Sequence, residues 1–90
     1  MLENLEQLIK TVRKRKSSSP DESYTNKLFK DKNLCVEKVK EEIAELIESV
    51  EQNTNKIHEA ADVIYHLIVY LEANNVKIED IMNELKKRQK

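Results

Sequence analysis

The sequence contains no glycine and no tryptophan, and only one proline and one cysteine. Without glycine, the Gly-rich loops that wrap phosphates cannot be built, and the tight turns that favour sheets lose their usual residue. Cys35, the single cysteine, has no internal disulfide partner, which fits a reducing cytoplasm. Long hydrophobic runs are also missing. The longest stretch free of charged residues, 63–71, is far too short to span a bilayer. The opening "MLENLEQLIK" carries acids and no cleavage signature, so a signal peptide is not expected. No excess of one charge exists either: the formal net charge is −1, which gives no electrostatic case for nucleic acid or a membrane surface. A soluble, cytoplasmic protein is the expectation.

What is present favours helix. Charged residues make up 37 % of the chain, and Glu, Lys, Leu and Ile dominate. Ninety residues form one small domain, 1–90. A monomer of that size leaves about 40 % of its unfolded-state surface exposed, so an oligomer that buries more apolar area is expected. Leu2, Leu5, Leu8, Ile9 and Val12 predict a first helix over 2–15. "RKRK" (13–16) follows, then a loop marked by "SSSPDES" (17–23). Ser23 is placed to cap a short helix through Tyr24, Leu28 and Phe29, which "KDKN" (30–33) should break. Val36, Val39, Ile43, Leu46, Ile47 and Val50 predict a long helix over 34–52. Ile57, Ala60, Ala61, Ile64, Leu67, Ile68 and Leu71 predict a second over 55–73, capped by Thr54 or Asn55. "NN" (74–75) stops it, because Asn tolerates the left-handed conformation that glycine would otherwise supply. A last helix covers 78–88. The fold class is all-α: an antiparallel helical hairpin or bundle of four to five helices that completes its core by dimerisation.

The hairpin carries the chemistry. Glu42 and Glu45 are three apart, about 60° from each other around one helix. Glu59 and Asp62 repeat the spacing on the facing helix, at comparable distance from the loop. In a chain this rich in glutamate, an E-x-x-E pair alone reads as a solvated face. Asp62 is harder to dismiss, because Asp is a poor helix former and here interrupts an apolar run. Four converging carboxylates repel, so either cations neutralise them or some are protonated. An all-oxygen donor set favours Mg²⁺, with Mn²⁺ as a substitute, and such ions commonly take phosphate oxygens as further ligands. The implied chemistry is metal-assisted attack of water on a phosphoanhydride. Zinc and di-iron readings fail: in "HEAAD" (58–62) Asp62 replaces the second histidine, and no E-x-x-H exists. His66 reads as a helix histidine bonded to a neighbour, and Cys35 as a small packed hydrophobe.

The segments "RKSSSPDESYT" (15–25), "KVKEEIAE" (38–45) and "EAADVIYHLIVYL" (59–71) resemble the phosphoribosyl-ATP pyrophosphatase family of histidine biosynthesis. The E-E-x-x-E and E-x-x-D motifs are shared with the wider MazG-like all-α nucleotide pyrophosphohydrolases. The resemblance implies a Mg²⁺-dependent helical homodimer that hydrolyses phosphoribosyl-ATP to phosphoribosyl-AMP and pyrophosphate. The alternative it leaves is a pyrophosphatase of non-standard nucleoside triphosphates. By motif position it implies Glu42, Glu45, Glu59 and Asp62 as metal ligands. Glu41 would be a further acid, either a ligand to a second ion or a base. Lys38 would meet a substrate phosphate. Arg15, Lys16, Ser23, Tyr24, Thr25 and Lys27 would bind the phosphoribosyl or triphosphate part. The family's glycines before the long helix and before the E-E pair are replaced by "KDKN", where Asn33 would serve the loop, and by Lys40.

Overall fold

The computed structural model describes residues 1–17 and 23–89. The described residues form five helices and no strand: α1 (Glu3–Arg15), α2 (Tyr24–Lys30), α3 (Lys32–Gln52), α4 (Lys56–Ala73) and α5 (Ile78–Arg88). Among the described residues, no helix is long and apolar enough to cross a membrane. Residues 18–22, where a loop is expected from "SSSPDES", lie outside the described residues. In α1, Glu3 and Glu6 occupy the first turn and Arg13, Lys14 and Arg15 the last, the arrangement that suits the helix dipole. Ser23 caps α2 as expected, its hydroxyl accepting from the Asn26 amide at 3.2 Å.

The "KDKN" break is shorter than expected. Asp31 alone separates α2 from α3, with an extended backbone (φ −116°, ψ 91°). It ends one helix and caps the next, its carboxylate accepting from the Leu34 amide at 3.0 Å. Asn33 is therefore inside α3 and serves no loop. The junction needs no positive φ, so a missing glycine costs nothing there.

Positive φ is needed at the two later turns, and asparagine supplies it each time. Asn53 (φ 56°) and Asn55 (φ 43°) turn the chain between α3 and α4, and Asn75 (φ 60°) turns it after α4. The Thr54 amide donates back to Ser49 O at 2.9 Å, closing the end of α3. Asn55 does precede α4, but its side chain makes no capping bond, because its left-handed backbone is used for the turn itself.

α3 and α4 run antiparallel and form the main packing pair, with α1 and α2 against them. The core is Ile9 and Val12 of α1, Leu28 of α2, Cys35 of α3, and Ile68 and Val69 of α4. Burial pushes the Cys35 thiol up, as for a packed, unreactive cysteine. The hairpin's apolar stripes are only partly used. Ile43, Ile47 and Val50 of α3, and Ile57, Ile64 and Leu67 of α4, remain exposed. Correspondingly, the radius of gyration is 14.2 Å, against about 12 Å for a compact chain of this length.

A polar clamp that local sequence does not announce ties α1 to α4 and α5. Arg13 Nε donates to Glu72 at 2.9 Å, and its Nη1 donates to Glu79 at 2.9 Å. Lys16 Nζ reaches the other Glu72 oxygen at 3.1 Å. The Glu72 side chain is only 7 % exposed, so its charge must be paired to be tolerated. The Arg13 guanidinium holds the Glu79 carboxyl down to about 2. Arg13→Met should lower unfolding free energy by about 1–3 kcal/mol, with Lys16 left as partial compensation. Urea denaturation checks this, and an unchanged midpoint would show the clamp to be ornamental.

Candidate active site

The spacing of acids on α3 and α4 produces the cluster. With α3 and α4 packed antiparallel, one carboxylate oxygen from each of Glu42, Glu45 and Glu59 lies within 4.8 Å of the others. Glu59 also belongs to a second group, with His58 and Asp62, of the same tightness. Glu59 thus joins two subsites, and Asp62 stands beside the three glutamates and not among them. His58, four residues before Asp62, approaches it at 3.4 Å. That neighbour was visible in "HEAAD" as an i, i+4 pair, although the motif is not a zinc one. A cleft of about 170 Å³ opens beside Glu45 and Glu59, floored by Ser49 and the Thr54–Asn55 turn.

The electrostatics disfavour full ionisation of the cluster. Glu42 is buried, and one oxygen each of Glu42 and Glu59 is buried without any hydrogen-bond partner. Burial pushes the Glu42 carboxyl above the usual carboxylate range, and the nearby Glu45 and Asp62 charges push it further. Glu59 is raised for the same two reasons, burial first and Glu45 second. Orphaned buried carboxylate oxygens in an all-oxygen set fit a hard divalent cation.

The remaining sequence candidates divide in two. Tyr24 and Lys38 stand near the cluster: Tyr24 is raised by burial, while the Lys38 charge opposes that rise and the Glu42 charge adds to it. Thr25 is buried and its hydroxyl bonds the Tyr65 hydroxyl. Ser23 is occupied in capping α2. Glu41 turns outward and pairs with Lys38 at 3.3 Å, outside the carboxylate group. Lys16 is engaged with Glu72, and Arg15 and Lys27 are exposed. Two further residues brace these side chains, and His66 is bonded to its neighbours as its spacing suggested. His66 bonds both Tyr24 and the Asp62 carbonyl. Buried Asn26 donates to the carbonyls of Arg15 and Lys16, at 2.8 and 3.0 Å, and so anchors the end of α1. The A-D-x-x-Y-H spacing places Tyr65 and His66 one turn from Asp62, which is the signal that finds them.

A carboxylate cluster across an antiparallel helical hairpin is an all-oxygen donor set within an all-α protein. The family model described as phosphoribosyl-ATP pyrophosphohydrolase matches residues 5–89. The phosphoribosyl-ATP pyrophosphatase of Cereibacter sphaeroides (strain ATCC 17023) is 46% identical over 88 residues, covering 94% of this chain and 85% of that protein. The one from Clostridium novyi is 44% identical over 90 residues, covering 96% and 81%. The histidine biosynthesis bifunctional protein HisIE of Thermotoga maritima is 44% identical over 87 residues, covering 93% of this chain and 44% of that longer protein. No solved structure matches significantly. The chain belongs to the phosphoribosyl-ATP pyrophosphohydrolase family.

The raised carboxyls give a sign for pH dependence. A carboxyl raised in the fold penalises the folded state when ionised, and that penalty lifts as pH falls toward the ordinary value near 4.5. Glu79 acts oppositely, but its contribution is lost only below about 4.5, as pH falls toward about 2. Between pH 7.5 and 5, the metal-free chain should therefore gain thermal stability. Glu42→Gln should raise the metal-free melting temperature at pH 7.5 and flatten this dependence. Calorimetry at both pH values tests it, and a Glu42→Gln variant less stable than the parent at pH 7.5 would count against a strained cluster.

Proposed function

We propose that this chain hydrolyses phosphoribosyl-ATP to phosphoribosyl-AMP and pyrophosphate, the second step of histidine biosynthesis, using Mg²⁺ or, as a substitute, Mn²⁺. The observation that carries the site is the pair of buried, unpartnered oxygens on Glu42 and Glu59, opposed across the hairpin. The substrate assignment rests on the family and on the relatives' names. Glu42, Glu45 and Glu59 would hold the ion, with Asp62 at its flank. When bound, the ion supplies charge neutralisation at the polyphosphate and a more acidic water. Lys38 and Tyr24 stand at the rim, where they meet substrate. Glu41, exposed beside Lys38, would hold a second ion or take a proton from water. Water attacks a phosphorus of the α–β anhydride, forming one P–O bond to the water oxygen and breaking the bridging P–O bond, so that phosphoribosyl-AMP and pyrophosphate separate with no covalent enzyme intermediate.

The working form is a homodimer. Ile43, Ile47, Val50, Ile64 and Leu67 present an uncovered apolar face on the hairpin, and a second copy offers the same face in return. No role for nucleic acid follows from a net charge of −1, and the cytoplasm is where this pathway step belongs.

Pyrophosphate release from phosphoribosyl-ATP should require Mg²⁺ and should exceed release from a panel of nucleoside triphosphates. Glu59→Gln combined with Asp62→Asn should lower kcat/KM by about 100-fold or more and weaken Mn²⁺ binding. Preferential turnover of the triphosphates would move the chain to the house-cleaning alternative. Unchanged hydrolysis in the double variant would sink the site. In sedimentation, Ile47→Asp should convert a two-copy species to single chains.

A further inference from the structure

His66 is buried, yet it is no member of either carboxylate group. Both its ring nitrogens are engaged. Nδ1 lies 2.8 Å from the main-chain oxygen of Asp62, and a carbonyl can only accept, so Nδ1 carries the ring hydrogen. In the neutral ring Nε2, 3.2 Å from the Tyr24 hydroxyl, is then the acceptor, and Tyr24 donates to it. Tyr65 fixes the ring from the side, edge to face at a centroid separation of 4.9 Å, and is itself bonded to Thr25. The Tyr24 ring stacks at 6.4 Å from that of Tyr65. These contacts orient the Tyr24 hydroxyl toward His66, although 47% of that residue's surface remains exposed. Lys38, whose charge bears on the same hydroxyl, is an ammonium that only donates.

We infer that His66 is a positioning residue that turns the Tyr24 hydroxyl proton inward, so that Tyr24 offers only lone pairs to the substrate and recognises a hydroxyl or amino donor of its sugar or base, not a phosphate oxygen. This rests on the substrate class proposed above. It selects between the two parts of the substrate that the N-terminal segment was expected to bind. An oxygen with only lone pairs outward repels a phosphate oxygen and attracts a ribosyl hydroxyl. Specificity for a ribosylated substrate thus arises at a hydroxyl linked through His66 to the main chain of Asp62.

The test uses Tyr24→Phe, His66→Gln and His66→Asn in the full chain. Glutamine reproduces an acceptor near the Nε2 position; asparagine reproduces only the Nδ1 link to Asp62. Tyr24→Phe and His66→Asn should each raise KM for phosphoribosyl-ATP about tenfold with kcat within about threefold, while His66→Gln stays within about threefold in KM. Binding of inorganic tripolyphosphate with Mg²⁺, which lacks sugar and base donors, should be unchanged in all three. Long-range ¹⁵N spectra of the unaltered chain should show the His66 hydrogen on Nδ1. A hydrogen on Nε2, tripolyphosphate binding weakened by Tyr24→Phe, or a His66→Gln variant no better than His66→Asn would each overturn the inference. Tyr24→Phe alters an exposed residue, so the tripolyphosphate arm holds even if the His66 variants do not fold. If the unaltered chain fails to turn over phosphoribosyl-ATP, the substrate reading falls, while the nitrogen spectra and the tripolyphosphate titration still decide the direction of the Tyr24 bond.

Discussion

Everything in this molecule depends on α3 lying antiparallel to α4 with acidic residues facing across the seam. The pairing forces like charges together, and Glu42 and Glu59 are raised by burial and by their neighbours. A fold optimised for stability alone would place apolar residues there. The cluster is kept, so its unfavourable energy must be offset by other packing or by a bound cation. The Ile9, Val12, Leu28, Cys35, Ile68 and Val69 core supplies the packing.

The apolar and polar faces of the hairpin have separate tasks. Toward α1 and α2 it buries Ile68 and Val69, which hold the carboxylate wall rigid. Outward it leaves Ile43, Ile47, Val50, Ile57, Ile64 and Leu67 exposed, so the core of one chain is incomplete. The Arg13–Glu72–Glu79 clamp then matters more than a surface ion pair would, because α5 has no fully buried residue to hold it in place. The same clamp takes up Lys16, leaving Lys38 as the basic residue whose field reaches Tyr24 beside the acids.

Local structure was legible wherever a residue acts on its immediate neighbours. Ser23 caps the helix it precedes, and Asn75 ends α4 in the left-handed region. Reading failed where one residue serves two elements. Asp31 terminates α2 and starts α3, so the "KDKN" break shrank to a single position. Asn55 does stand at the cap of α4, its carbonyl accepting from the Glu59 amide, but its left-handed backbone serves the turn and its side chain makes no capping bond.

The carboxylate pairs followed from sequence because helical periodicity aligns residues three apart, and a short loop makes adjacent helices antiparallel. Periodicity could not separate the inward half of the apolar stripes from the outward half, since both have the same spacing. Nor could it show that Asp62 stands beside the three glutamates with His58, that Glu41 turns to Lys38, or that Glu72 is clamped by residues far away in the chain. The sequence by itself determined the helices, their turns and the acids' shared face, because those are set by neighbours within about one turn. Tertiary structure decided which acids converge, which cations remain near them and how His66 aims Tyr24, because each depends on how far apart two helices lie and how each is rotated about its axis.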